Sequence, residues 1–219
     1  MNASSGPGAV PWPPLARDLV AILRGVRPQE VEAIGIALAE AGFGAVEVPL
    51  NSPDPLTSIA RLRAVLPDRV LVGAGTVLSA AEVDAVRDAG GGLVVSPNVD
   101  PEVVARTVAN GMVSLPGVFT PTEALTALKA GASALKVFPA FVLGPAGIAA
   151  IRAVLPATTA IAAVGGVGEG QFAAYARAGV RAFGLGSSLY RPGDGAQAVA
   201  ARARAAVAAF DAAFGTLRA

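Results

Sequence analysis

The sequence contains neither cysteine nor histidine. Their absence excludes disulfide bonds, thiolate nucleophiles, Ser-His-Asp triads and the usual zinc sites, because each of these needs one of the two side chains. General acid–base chemistry must therefore use Asp, Glu, Lys, Tyr or water.

Charged residues and long hydrophobic runs are also scarce. Charged residues make up 15% of the 219 residues, and the net charge is +1. No basic stripe is present, which argues against a nucleic acid partner. No apolar run reaches the roughly 18 residues that a membrane span needs. Because hydrophobic residues still account for 53% of the chain, we expect strands that are buried on both faces, as in a parallel sheet.

The N-terminal segment Met1–Pro14 is rich in Gly, Ser and Pro and carries no charged side chain. It lacks the basic start and the long apolar core of a signal peptide. We predict a flexible tail over residues 1–16, a single domain over residues 17–219 and a cytoplasmic location.

From Leu19 onward, short apolar runs alternate with amphipathic stretches such as Pro28–Ala41 and Ala80–Ala89. Such alternation is typical of buried parallel strands followed by helices. Eight units without a break in composition predict one closed (β/α)₈ barrel, with a doubly wound eight-stranded sheet as the alternative. The eight predicted strands are Val20–Leu23, Ala45–Val48, Val70–Val72, Leu93–Val95, Met112–Leu115, Ala134–Val137, Ala160–Val164 and Ala182–Leu185.

In such a barrel the active site lies at the carboxyl ends of the strands. Lys136 belongs to an apolar strand, whereas the only other lysine, Lys129, lies near a helix end. Burial would lower the pKa of Lys136 and leave a neutral amine that can attack a carbonyl. The structural alternative is a lysine that extends from the strand end to water.

Glu47 is likewise flanked by apolar residues and needs a nearby cation, for which Lys136 and Arg24 are candidates. It is either a general acid–base or one half of a structural ion pair across the barrel mouth. Arg24 is suited to bidentate binding of a carboxylate. Thr76 follows a glycine-rich strand end and offers a hydroxyl, or acts only as a local cap.

Two glycine clusters, Val164–Val167 and Gly184–Ser188, follow the last two predicted strands. Barrel enzymes often bind phosphate with the loops at these two positions, because backbone N–H groups approach an anion closely where side chains are absent. Ordinary barrel turns are the alternative.

Taken in chain order, these motifs resemble the class I 2-keto-3-deoxy-6-phosphogluconate aldolase family, from about Leu19 to Phe214. The motifs are Leu23-Arg24-Gly25, Val46-Glu47-Val48, Val72-Gly73-Ala74-Gly75-Thr76-Val77, Ser96-Pro97, Leu115-Pro116-Gly117, Leu135-Lys136-Val137-Phe138-Pro139 and Gly165-Gly166-Val167. The resemblance implies a (β/α)₈ barrel, commonly a homotrimer, that cleaves a phosphorylated sugar acid into pyruvate and glyceraldehyde 3-phosphate without a metal or an organic cofactor.

The resemblance also implies roles for individual residues. Lys136 would form the Schiff base and Glu47 would be the general acid–base. The substrate-binding positions would be Arg24, Thr76, the pocket-wall residues Pro97 and Phe138, Val164, and the phosphate-binding Gly165, Gly166, Gly186 and Ser187.

Two positions resemble the 2-dehydro-3-deoxy-6-phosphogalactonate branch of the family. No Arg follows Glu47 in the segment Val48–Ser52, and Val164 stands where the gluconate-type enzymes usually carry Thr. In the galactonate branch the Arg24 position binds the carboxylate instead. The alternatives are activity on the gluconate epimer or 4-hydroxy-2-oxoglutarate, a sugar-phosphate isomerase or epimerase, and a non-catalytic binding barrel. The segment Ala140-Phe141 departs from the galactonate pattern, in which a small polar residue often follows the proline.

Overall fold

The structure is a computed structural model and describes residues 10–218. Strands and helices alternate along this part of the chain. The strands are β1 Leu19–Ile22, β2 Ala45–Pro49, β3 Leu71–Gly75, β4 Leu93–Val95, β5 Val113–Leu115, β6 Gly117–Val118, β7 Leu135–Val137, β8 Ile161–Val164 and β9 Ala182–Leu185. The α-helices are α1 Val31–Ala41, α2 Pro55–Val65, α3 Ala80–Asp88, α4 Pro101–Ala109, α5 Pro121–Lys129, α6 Ala140–Arg152, α7 Phe172–Arg177 and α8 Ala196–Arg218.

The strands form one parallel sheet in the order β5-β4-β3-β2-β1-β9-β8-β7-β6. Strands β5 and β6 are consecutive segments separated only by Pro116, which has no N–H to give to a sheet. The Pro116 carbonyl accepts a hydrogen bond from the Lys136 backbone N–H at 2.9 Å. The interrupted fifth strand therefore pairs with β4 on one side and β7 on the other, which closes the barrel. This closure confirms the (β/α)₈ prediction and excludes the open doubly wound sheet.

Side chains alternate between the barrel interior and the helix layer. In β2, Val46 and Val48 pack in the large core under the helices, whereas Ala45 packs in the smaller core inside the barrel. Glu47 shares the interior face with Ala45 because strand side chains repeat with a period of two. In β7 the same alternation places Lys136 inside. Both charged side chains therefore point into the barrel interior.

Helices α3 and α5 begin at side-chain caps. Ser79 and Thr120 each form a capping box with the Glu three residues later. The last helix continues through Gly215 to Arg218, because one glycine inside a helix costs only about 1 kcal/mol. Helix α6 is interrupted at Gly144, whose φ is +65°, a break that the sequence pattern did not predict.

The predicted tail is described only in part, because residues 1–9 lie outside the described residues. Residues 10–16 form neither helix nor strand, and Val10, Trp12 and Leu15 pack against the interior core. The Trp12 indole N–H donates to Asp18 at 2.8 Å. The boundary of the barrel domain at residue 17 stays a prediction. Among the described helices, none has the length and apolar character required to cross a lipid bilayer.

Candidate active site

A cavity of about 460 Å³ opens where the strands end at their carboxyl termini. All the residues that the sequence singled out as a site contribute to its walls. They are Arg24, Glu47, Thr76, Pro97, Lys136, Phe138, Val164, Gly165, Gly166, Gly186 and Ser187. The closed barrel thus brings together residues that are up to 163 positions apart in the chain.

Lys136 extends from β7 into the base of this cavity and is only 7% exposed. Its Nζ lies 4.8 Å from the centre of the Phe138 ring. Burial lowers the pKa of the amine, the nearby Glu47 opposes this effect, and the Arg24 cation adds to it. A buried amine with a lowered pKa is a better nucleophile at neutral pH, because more of it is unprotonated.

Glu47 lies on the interior face of β2 and is 2% exposed. Burial raises the pKa of this carboxyl to about 7, against the opposing attraction of Lys136 and Arg24. Its Oε2 atom has no hydrogen-bond partner among the described residues. No ion pair within 4.0 Å joins Glu47 to Lys136 in that part of the chain, which argues against a purely structural pair and leaves the carboxylate available to a reactant.

Arg24 stands at the exposed rim, where two loops hold its guanidinium. Its Nη1 donates to Asn51 Oδ1 at 2.5 Å and its Nη2 approaches Thr76 Oγ1 at 3.4 Å. Thr76 has a φ of +56°, an unusual backbone conformation for a β-branched residue that is concentrated at functional sites. A guanidinium has five N–H donors, so donors remain for a substrate carboxylate.

The glycine-rich loops follow β8 and β9, the two strands that come next to β1 in the sheet on the side away from β2. Gly165 and Gly166 both have positive φ values, +90° and +69°, and the Phe138 and Phe141 rings pack where their side chains would be. None of the hydrogen bonds found among residues 10–218 uses the backbone N–H of Gly166. Such exposed N–H groups can bind an anion.

The loop after β9 is built in a similar way. Gly186 begins a single turn in which its carbonyl accepts hydrogen bonds from the Leu189 and Tyr190 N–H groups, both at 2.9 Å. In the described part of the chain, the N–H groups of Ser187 and Ser188 donate to no backbone carbonyl. The two loops together therefore offer a set of free donors that suits a phosphate group.

Comparison with known proteins identifies the family in which this arrangement of residues occurs. Residues 16–199 match the aldolase family described as KDPG and KHG aldolase. The chain belongs to this family. It is 58% identical over 206 residues to a probable 2-dehydro-3-deoxy-6-phosphogalactonate aldolase of Rhizobium meliloti, covering 94% of this chain and 97% of the relative.

Two further similarities point to the same branch of aldolases. A 2-dehydro-3-deoxy-6-phosphogalactonate aldolase of Escherichia coli is 48% identical over 192 residues, covering 88% of this chain and 94% of that protein. A solved structure described as native KDPGal has a TM-score of 0.91 at 46% identity, and the match covers 94% of this chain and 99% of that one.

The sequence prediction missed some residues of the aldolase site. Asn51, which holds Arg24, lies in the segment Val48–Ser52, and its place two positions after the end of β2 is the signal that could have identified it. Ile22 and Gly168 also line the cavity, and continuing the interior alternation of β1 and the glycine loop after β8 could have found them. Val167, Gly184 and Ser188 line it as well and belong to the two glycine clusters of the sequence prediction.

No three Asp or Glu side chains of the described aldolase chain are grouped as they would be around a metal ion. The prediction of a site without metal or organic cofactor stays a prediction.

The buried Glu47 carboxyl should make the stability of the aldolase depend on pH. Its pKa is about 7 in the folded protein, against an ordinary 4.5. Between these values the folded state binds more protons than the unfolded state, so the free energy of unfolding falls as pH rises. Glu47→Gln, which cannot ionise, should therefore be more stable than the parent above pH 7, by about 3 kcal/mol.

Urea denaturation at about pH 8 and at pH 4.5 measures this difference. The advantage of Glu47→Gln should be almost lost at the lower pH, where the parent carboxyl is protonated in the folded state and half protonated in the unfolded state. Equal stabilities at pH 8 would show that the carboxylate is solvated in the folded protein.

Proposed function

We propose that this chain is a class I aldolase that cleaves 2-dehydro-3-deoxy-6-phosphogalactonate into pyruvate and glyceraldehyde 3-phosphate through a Schiff base on Lys136. The observation that carries the proposal is the buried Lys136 amine in one cavity with the buried, unpaired Glu47 carboxyl. The 58% and 48% identities to aldolases named for this substrate support the same reading.

In the first half of the reaction, Lys136 Nζ attacks the C2 carbonyl of the substrate. Loss of water from the resulting carbinolamine gives an iminium ion. Glu47, directly or through a water molecule, takes the proton of the C4 hydroxyl. The electrons of that O–H bond form the aldehyde carbonyl, and those of the C3–C4 bond move towards the iminium nitrogen. Glyceraldehyde 3-phosphate leaves, and an enamine remains on Lys136.

In the second half, the carboxyl of Glu47 returns a proton to C3 of the enamine. Water then hydrolyses the iminium and releases pyruvate and the free amine. A group that both accepts and donates a proton works best when its pKa is near the working pH, and burial places the pKa of Glu47 at about 7.

The two ends of the substrate are assigned to two separate groups of donors that line the cavity. Arg24, held by Asn51 and Thr76, binds the carboxylate through its remaining donors. The backbone N–H groups after β8 and β9 bind the phosphate. Lys136 and Glu47 line the same cavity as these anchors, and C2 to C4 of the substrate would lie beside them.

The isomerase, epimerase and binding-protein alternatives make no pyruvate. A coupled assay for pyruvate release with the galactonate and gluconate epimers therefore tests the proposed function. Release from neither epimer would contradict it.

The substrate preference depends on Val164, which lines the cavity next to Gly165. The two substrates differ in configuration at C4, and a valine cannot hydrogen-bond the C4 hydroxyl. We expect a higher kcat/KM for the galactonate epimer in the parent. Val164→Thr should shift the ratio of kcat/KM values towards the gluconate epimer by about two- to tenfold, the effect of one neutral hydrogen bond of about 0.5–1.5 kcal/mol.

Val164→Ala is the matched control, because it changes the cavity without adding a hydroxyl. It should not shift the ratio towards the gluconate epimer. Steady-state kinetics with both purified epimers measures these ratios. A parent that clearly prefers the gluconate epimer would overturn the branch assignment and leave the aldolase mechanism standing.

We also propose a homotrimer, which is common in this family. Phe141 and Val142 are 62% and 58% exposed beside the cavity, and contact between copies would cover apolar side chains of this kind. Light scattering after gel filtration measures the mass of the assembly. A cytoplasmic location fits the proposed substrate, since a phosphorylated sugar acid cannot cross a bilayer unaided.

A further inference from the structure

Gly75 is the last residue of β3 and is paired with Pro49 of β2. Its neighbours in the strand, Ala74 and Val72, pack in the core under the helices, so the alternation directs position 75 into the barrel. The φ of Gly75 is outside the left-handed region. The backbone conformation there is open to any residue, and a different reason is needed for a glycine.

That reason is the position of the Glu47 carboxyl group. A Cβ atom built on Gly75 would overlap Glu47 Oε2 and Cδ and would lie 2.7 Å from Oε1. These three are the nearest atoms, and all belong to Glu47. By contrast, a Cβ on Gly73, two residues earlier, would overlap the backbone carbonyl of Leu93. Gly73 thus serves the packing of two strands, whereas Gly75 makes room for one side chain.

We propose that Gly75 is a positioning residue: the space left by its missing side chain holds the Glu47 carboxyl group in its working position beside Lys136. The inference rests on the acid–base role proposed for Glu47. A glutamate side chain has three rotatable bonds, and Oε2 has no hydrogen-bond partner among the described residues to fix it. Steric confinement against Gly75 is therefore what fixes the carboxyl group.

Gly75→Ala fills this space and displaces the carboxyl group from the reacting carbons. Misplacement of a catalytic group by about 1 Å can lower a rate by about a hundredfold, and we expect kcat to fall at least tenfold. The KM for the substrate should change by less than about threefold, because Arg24 and the glycine loops bind the two ends. Trapping of pyruvate on Lys136 with borohydride should persist.

The positioning role is distinguished from a purely structural one by removing the carboxyl group. We would measure the exchange of pyruvate methyl protons with deuterated water, which requires proton transfer at C3 of the enamine, in the parent, Gly75→Ala, Glu47→Ala and the double variant. Gly75→Ala should lower the exchange rate at least tenfold in the parent. In the Glu47→Ala background it should change the rate less than twofold, because nothing is left to displace.

Gly92→Ala is the matched control, since a Cβ at Gly92 would meet only Leu71 Cδ1 at an ordinary 3.5 Å. It should retain the parent rate. If Gly75→Ala alone does not fold, the double variant should fold, because the truncated Glu47 vacates the space; failure of both to fold would overturn the proposal.

An equal loss of exchange in both backgrounds, or parent activity in a folded Gly75→Ala, would also overturn the positioning role while leaving the proposed function intact. An unchanged exchange rate in Glu47→Ala would instead refute the acid–base role of Glu47 and the inference with it.

Discussion

Replacing Lys136 with alanine should abolish covalent trapping of pyruvate and lower turnover by several powers of ten, the usual consequence of removing a covalent nucleophile. The physical reason is that the iminium ion is what accepts the electrons of the breaking C3–C4 bond. Without it, the carbonyl oxygen alone would have to carry the developing negative charge. Arg24 and the glycine loops should still bind substrate, so the loss should appear in kcat.

The labelled lysine is easy to assign, because Lys129 and Lys136 are the only lysines of the chain. Incubation of the parent with pyruvate and borohydride, followed by mass spectrometry of peptides, should find one reduced pyruvyl group on Lys136. Lys129 is exposed at the end of α5, and Lys129→Ala should behave as the parent. An adduct only on Lys129, or no adduct, would refute the Schiff base.

The sequence was sufficient to predict the barrel and the two central charged residues. The apolar runs predicted the strands because parallel strands are buried on both faces. Lys136 and Glu47 were recognisable because a charge inside such a run is costly unless it has a use. Their shared direction followed from the alternation of side chains, and the closed barrel then placed both in one cavity.

Other features of the site depend on contacts between strands, and the order of residues along the chain does not reveal these contacts. The contact of Arg24 with Asn51 and that of Gly75 with Glu47 join different strands, so each depends on the register between them. The left-handed backbone of Thr76 runs against the preference of a β-branched residue. The division of the fifth strand at Pro116 becomes meaningful only when the pairing with β4 and β7 is known.

Glu47→Gln should slow turnover by about a hundredfold or more while leaving Schiff-base formation detectable. The amide has nearly the same shape as the carboxyl group and keeps the space beside Gly75 filled. It cannot take the C4 hydroxyl proton or return a proton to the enamine. The pKa of Glu47 is about 7. The kcat of the parent should therefore change with pH around this value, and the kcat of the variant should not show this change.

Two measurements assign the two proton transfers separately. Cleavage of the sugar acid requires removal of the C4 hydroxyl proton, whereas methyl-proton exchange of pyruvate requires transfer at C3 alone. If the Glu47 carboxyl group serves both steps, Glu47→Gln should slow both by at least about a hundredfold. Glu40→Gln, at an exposed position on α1, is the matched control and should slow neither.

If cleavage is slowed but exchange proceeds at the parent rate, another group protonates the enamine and Glu47 acts only at C4. If both rates stay within a few-fold of the parent, Glu47 is only a structural neighbour of Lys136.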